Sequence, residues 1–154
     1  MKVSLNLIRK YVDLPEGLTD EQIAYDMTLR TVEVEDVENT AKKFHDIVVG
    51  EILEIKAHPN ADKLRICMVD IGEEEPVQIV CGGSNLYVGE HVVVSKPGAE
   101  VVWHGQGGPV KITKTKMRGE SSYGMICAST EVYLSDFFPN EGEEEIVDLK
   151  GFDC

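Results

Sequence analysis

Residues 47–71 read Ile47-Val48-Val49-Gly50-Glu51-Ile52-Leu53-Glu54-Ile55-Lys56-Ala57-His58-Pro59-Asn60-Ala61-Asp62-Lys63-Leu64-Arg65-Ile66-Cys67-Met68-Val69-Asp70-Ile71. Two β-branched runs flank a segment built from Pro, Asn and Asp. Pro59 fixes its own φ and biases His58 toward an extended shape, while Asn60 and Asp62 favour a tight turn. The spacing predicts a strand over 47–55, a turn over 58–62 and a second strand over 63–71.

The same punctuation continues downstream. Gly72-Glu73-Glu74-Glu75-Pro76 is a polar turn, and 77–81 reads as a third strand. Gly82-Gly83-Ser84-Asn85 breaks the chain before a fourth strand over 91–95, and Pro97-Gly98 follows. Residues 101–103 and 110–113 flank a Gly-rich tip over 104–109, and 123–128 reads as the last core strand. Short strands with closely spaced turn signals predict a small closed barrel rather than a parallel α/β sheet. The tail reads as an acidic loop over 141–145 and one more strand over 146–149.

Residues 1–39 follow another rhythm. Ser4 can cap a short helix with Leu7, Ile8, Tyr11 and Val12 on one stripe, stopped by Pro15 and Gly17. Thr19 with Gln22 three residues on makes a capping-box pattern for a second helix, whose apolar face is Ile23, Ala24 and Met27. Thr31-Val32-Glu33-Val34-Glu35-Asp36-Val37-Glu38 alternates apolar and acidic residues, the period of a strand with one wet face. The expected architecture is mainly β (α+β): a barrel over 40–154 with a small helix-helix-strand appendage over 1–39. That appendage is too short to bury a core of its own.

Of the 154 residues, 42% are hydrophobic and 28% charged, as in a folded globular chain. No apolar run approaches the roughly 20 residues needed to cross a bilayer, and the N-terminus lacks a signal-peptide layout, so a cytoplasmic protein is expected. The four cysteines, Cys67, Cys81, Cys127 and Cys154, form no C-x-x-C pair and lie at no metal-finger spacing from a histidine. Core thiols in a reducing compartment are expected. The net charge of −13 argues against a chain that grips nucleic acid with its whole surface. Between positions 56 and 118, however, eight Lys/Arg face seven Asp/Glu, leaving seven basic and 21 acidic residues elsewhere. Any contact with nucleic acid belongs to the middle of the chain.

Three segments carry chemistry. Lys63 and Arg65 lie two apart after the 58–62 turn, so on a strand they share a face that suits phosphate contact. The plain alternative is a solvated turn with ordinary surface cations. In Lys114-Thr115-Lys116-Met117-Arg118, three cations alternate with other residues, spaced by roughly 7 Å per two residues on an extended segment, near the phosphate repeat of a nucleic-acid strand. The alternative is a lysine-guarded edge strand. Arg118 can equally anchor a loop by bonding carbonyls. Ser121 and Ser122 can donate to a phosphate or base, or satisfy nearby backbone. Asn85 can line a groove, although its Gly-rich segment lacks the spacing of a P-loop or dinucleotide fingerprint. No activated nucleophile and no catalytic set is present in the pattern.

Together these segments resemble a known family. His58-Pro59-Asn60-Ala61-Asp62-Lys63-Leu64, Ile79-Val80-Cys81-Gly82, Ser84-Asn85, Lys96-Pro97-Gly98-Ala99 and Arg118-Gly119-Glu120 through Ser122, Gly124, Met125, Ile126 and Cys127 follow the order seen in tRNA-binding domains of the endothelial-monocyte-activating-polypeptide type. Those domains are oligonucleotide-binding (OB) barrels with a short C-terminal extension, so the resemblance implies a five-stranded OB-fold barrel. Met1-Lys2-Val3-Ser4-Leu5-Asn6-Leu7-Ile8, Tyr11-Val12-Asp13-Leu14 and Thr31-Val32-Glu33-Val34-Glu35 resemble the start of bacterial phenylalanyl-tRNA synthetase β subunits.

The resemblance implies an auxiliary, non-catalytic tRNA-binding module of an (αβ)₂ ligase. The aminoacylation site, with ATP and Mg, lies in the α subunit of that family, so no cofactor is expected here. The implied partners are tRNA, the α subunit and the rest of the β subunit, with no membrane; self-pairing into a homodimer is left open. Family β subunits are several times longer. The expectation is a piece of a longer chain, in which 1–39 is half of a split domain and less stable than the barrel. The acidic stretch 133–145 exceeds the family pattern and argues against strong autonomous binding. The candidate tRNA-binding residues are Asn60, Lys63, Arg65, Asn85, Lys114, Lys116, Arg118, Ser121 and Ser122, with the Lys63/Arg65 edge and the 114–118 edge expected to converge on one concave side. Two alternatives stand beside this reading: a free-standing tRNA-binding protein, and an assembly module that never touches RNA.

Overall fold

The computed structural model describes residues 2–139, 142 and 144–152. Met1, Glu141, Glu143 and Cys154, which figure in the sequence reading, lie outside the described residues. The chain divides into two compact units, Met1–Asn39 and Thr40–Cys154.

In the first unit, α1 (Leu5–Ile8) is capped by the Ser4 hydroxyl, which accepts from the Leu7 N–H at 3.3 Å. α2 (Asp20–Arg30) opens on a complete capping box: Gln22 N donates to Thr19 Oγ1 and Thr19 N to Gln22 Oε1. Ile23 is the one buried hydrophobic side chain among the unit's described residues, while Leu7, Tyr11, Val12, Tyr25, Leu29 and Val32 are exposed. The strand expected over 31–38 does not form; residues 33–39 carry no regular structure. The alternating pattern is real, but a strand needs an edge to pair with, and this unit otherwise holds helices. Val34 N turns instead to the Thr28 hydroxyl and Val37 N to the Asp36 carboxylate.

The second unit is a β-barrel. Its core strands are β1 (Ile47–Ala57), β2 (Arg65–Asp70), β3 (Val77–Cys81), β4 (His91–Ser95) and, after two small hairpins, β9 (Met125–Ile126). The hairpins are β5 (Glu100–Val102) with β6 (Pro109–Lys111), and β7 (Thr115–Met117) with β8 (Glu120–Ser122). The sheet runs β3-β2-β1-β4-β9, all antiparallel. Between β3 and β9 the circle is closed by Tyr123 N, which donates to Gln78 O at 2.8 Å, and by Val80 N, which donates to Ser122 Oγ at 3.0 Å. Five strands in this order, with β1 pairing both β2 and β4, make an OB fold.

One strand can serve two partners because β1 is bent. A bulge between Ile52 and Glu54 leaves Leu53 unpaired and exposed. It keeps Ile52 and Ile55, three apart in sequence, packed on the interior with Cys67 and Val69 of β2. β4 is buried on both faces: Val92 and Val94 join the barrel core, and Val93 joins a second cluster with Val101, Ile112, Cys127, Val132, Val147 and Leu149. That double burial explains its uninterrupted Val92-Val93-Val94 run, each valine contributing about 1.5–3 kcal/mol. Gly124 sits where β9 crosses β4; a Cβ there would strike the Ser95 carbonyl oxygen, so only glycine permits this approach.

Several expected boundaries shift, among them the last core strand, which covers Met125–Ile126 rather than 123–128. β2 begins at Arg65, leaving Lys63 in the turn. Residues 114–118 are not one extended segment: β7 covers only Thr115–Met117, and Arg118 lies in the hairpin loop. The tail makes a single bridge, Val92↔Asp148, rather than a strand; Leu149 N reaches His91 O, and Val147 N reaches Cys127 O. Cys67, Cys81 and Cys127 are buried, and burial pushes their thiols up to about 12, 11 and 12 respectively, which keeps them protonated and inert.

Candidate nucleic-acid interface

The turn after β1 and the turn between β7 and β8 are locked to each other. His58, 6% exposed, places Nε2 3.0 Å from the Met117 carbonyl oxygen, while its Nδ1 accepts from Asn60 N at 3.0 Å. Asn60 Nδ2 donates to Arg118 O at 3.0 Å, and Arg118 Nη1 donates back to Asn60 O at 3.4 Å. Met117 pairs with Glu120, so Arg118 and Gly119 form a two-residue loop with φ of 48° and 101°. Positive φ at both positions is what the right-handed twist of a tight hairpin demands. That geometry turns Arg118 out of the Lys114/Lys116 row, and its guanidinium braces the neighbouring turn.

Beside this clasp lies a groove of about 430 Å³, lined by Val77, Gln78, Lys114, Thr115, Lys116, Ser121, Ser122 and Tyr123. β3 supplies its floor, and β7 and β8 supply its wall. Lys114 Nζ lies 4.6 Å from the Tyr123 ring centroid. The Tyr123 hydroxyl is 3.4 Å from each oxygen of the Glu73 carboxylate, which Lys96 Nζ pairs at 3.1 Å. Glu73, by hydrogen bond and charge, raises the Lys96 ammonium above its usual range. Gln78 Nε2 donates to Ser121 O at 2.8 Å and to Glu120 Oε2 at 3.4 Å. Lys114 and Lys116 make no ion pair among the described residues.

The nine nominated residues separate accordingly. Lys114, Lys116, Ser121 and Ser122 line the groove. Ser122 is buried and bonded to backbone, accepting from Val80 N and donating to Gly124 O at 2.9 Å. Asn60 and Arg118 join the two turns. Lys63 and Arg65 are not on the groove: Lys63 Nζ pairs with Glu144 at 3.3 Å, and Arg65 Nη1 folds back on the carbonyls of Asp62 and Leu64 at 2.8 and 3.0 Å. Asn85 clamps the tail, its amide donating to Ile146 O at 3.1 Å and accepting from Ile146 N at 3.0 Å. The two turns meet, but only the β7 side delivers cations to the groove.

Three residues of this arrangement escaped the sequence reading. His58 looked like a turn residue. Gln78, the one polar residue in Val77-Gln78-Ile79-Val80-Cys81, and Tyr123, an aromatic after two serines, carried the available signal.

Residues 47–151 match the family described as "Putative tRNA binding domain". The chain is 44% identical over 138 residues to the phenylalanine–tRNA ligase beta subunit of Halalkalibacterium halodurans, covering 90% of this chain and 16% of that protein. It is 43% identical over 152 residues to the corresponding subunit of Bacillus licheniformis, covering 98% of this chain and 18% of that protein. The chain thus spans about a sixth of the length of these curated relatives. Among solved structures, a MetRS related protein from Pyrococcus horikoshii aligns with 75% of this chain and 91% of its own at 16% identity and a TM-score of 0.48. The strand order and register, rather than that likeness, carry the fold. With an OB barrel, five ordered motifs and a family match over most of its length, the chain belongs to the tRNA-binding-domain family and is homologous to phenylalanine–tRNA ligase beta subunits.

Proposed function

We propose that this chain is an auxiliary module of a phenylalanine–tRNA ligase β subunit that holds tRNA by its phosphates along the Lys114/Lys116 groove. The observation that carries this reading is the pair of lysines without ion-pair partners among the described residues, on one groove of a chain whose net charge is −13. Such a site recognises backbone and shape, with Ser121 adding a neutral donor. The module itself is non-catalytic. The aminoacylation chemistry, with ATP and Mg, belongs to an α subunit, and the rest of a β subunit is the covalent partner. A cytoplasmic setting fits this role, and no helix among the described residues is long and apolar enough to cross a membrane.

Titration of the chain with tRNA across a salt series tests the reading. Binding should weaken steeply with salt, and Lys114→Ala with Lys116→Ala should flatten the log–log slope by about 0.7–0.9 for each phosphate no longer neutralised. An unchanged slope and affinity removes both lysines from the site. A second reading, an assembly module that never touches RNA, is favoured by the net charge and by the Lys63–Glu144 pair. Absence of binding at low salt would select it.

A further inference from the structure

We propose that the groove receives one unpaired nucleotide, its base lying over the Tyr123 ring and its phosphate held by Lys114 and Lys116. This rests on the RNA-binding reading above and adds the kind of RNA that fits.

The ring is a prepared surface. Tyr123 N is tied to Gln78 O at 2.8 Å, the side chain packs against the barrel core, and its hydroxyl is tethered to the Glu73 carboxylate, itself pinned by Lys96. Backbone, ring and hydroxyl are therefore all positioned before any ligand arrives. Over the ring stands the Lys114 ammonium, 4.6 Å from the centroid. A cation on an exposed long side chain is a displaceable occupant. A nucleobase presents a larger flat area to the same ring, and its arrival frees the ammonium for the phosphate that accompanies it.

The surroundings suit the rest of a nucleotide. Lys116 lies two residues from Lys114 on the same wall, and Gln78 and Ser121 line the same groove. About 430 Å³ falls in the range of small-molecule sites and exceeds what a single phosphate needs. A base inside a duplex has both faces stacked and its edge paired, so only an unpaired residue can use this ring.

The test compares three labelled RNAs by fluorescence anisotropy on the unaltered chain: a short single strand, the same strand with abasic sites, and a blunt duplex. The single strand with bases should bind roughly 5- to 150-fold more tightly than its abasic form, the loss expected for one stacked base. Tyr123→Phe should keep that ratio, and Tyr123→Leu should erase it. Equal affinity for base-bearing and abasic strands, or a preference for the duplex, overturns the stacked nucleotide while leaving phosphate binding intact. Failure of all three RNAs to bind overturns both. Should Tyr123→Leu unfold the barrel, the comparison of RNAs on the unaltered protein still decides.

Discussion

His58 and Met117 lie 59 residues apart in sequence, yet His58 Nε2 is 3.0 Å from the Met117 carbonyl oxygen. Because Nδ1 accepts from Asn60 N, the ring proton sits on Nε2 and donates across the gap. The imidazole thus fixes the hairpin that carries the groove's wall to the first turn of the barrel.

Replacing His58 by Phe fills the space but leaves the partly buried Met117 carbonyl and the Asn60 amide without these partners. Each lost hydrogen bond costs about 0.5–1.5 kcal/mol, so the urea midpoint of His58→Phe should fall below that of the parent chain. RNA affinity should fall with it, because the β7–β8 wall loses its brace. Lys116→Ala, by contrast, should lower affinity while leaving the midpoint in place. A His58→Phe chain as stable as the parent would show the clasp to be ornamental.

Asn85 separates a structural reading from a binding one. Its side chain makes both hydrogen bonds to the Ile146 backbone, so Asn85→Ala should destabilise the barrel by about 1–3 kcal/mol and speed amide exchange at Ile146. Asn85→Asp keeps the acceptor for Ile146 N and should protect that amide better than Ala does. RNA affinity at fixed salt should not drop in either variant beyond what unfolding explains. A selective loss of affinity in a fully folded Asn85→Ala chain would return Asn85 to the binding site.

The barrel was legible because its signals are local. Pro59, Asn60 and Gly72 mark turns, β-branched runs mark strands, and β3 and β4 fall where their apolar runs and the flanking turn residues place them. What a single stretch cannot encode is who sits opposite. Thr31 to Glu38 has the period of a strand but pairs with no strand among the described residues. Lys63 and Arg65 sit two apart as a phosphate clamp would, but Glu144, 81 residues from Lys63, and the Asp62 and Leu64 carbonyls occupy them. Lys114, Lys116 and Arg118 would share one face only on a straight strand; the positive φ of Arg118 breaks the row. Tyr123 and Gln78 matter because barrel closure brings them together, a relationship no window of sequence displays.

The two units should differ in protection. Residues 2–39 bury one hydrophobic side chain, Ile23, whereas the barrel buries two clusters that include Ile52, Val69, Ile79, Val94, Val101 and Val132. Native-state hydrogen exchange should find α2 amides opening at far lower free energy than those of β1, β2 and β4. Equal protection in α2 and β1 would mean that the exposed Tyr25, Leu29 and Val32 are covered in solution.

Glu90 gives the barrel a pH dependence of its own. Its side chain is 0% exposed; one oxygen accepts from Tyr87 N at 3.1 Å, and the other has no partner among the described residues. Burial, aided by the charge of Asp148 and only partly offset by the Tyr87 N–H, pushes the carboxyl up to about 7. The unfolded chain releases this proton near the ordinary carboxylate value of about 4.3. Between those values the native state binds more protons than the unfolded one, so stability falls as pH rises through this window. The full penalty is present above about pH 7 and absent below about pH 4.3, and it is on the order of 3–4 kcal/mol. Glu90→Gln retains an acceptor for Tyr87 N and cannot ionise. Its urea midpoint should therefore gain on the parent chain's steadily from pH 4.5 to 7.5, whatever the other carboxylates do, since they are common to both. Parallel midpoint curves across that interval would show that Glu90 ionises as freely inside the barrel as outside it.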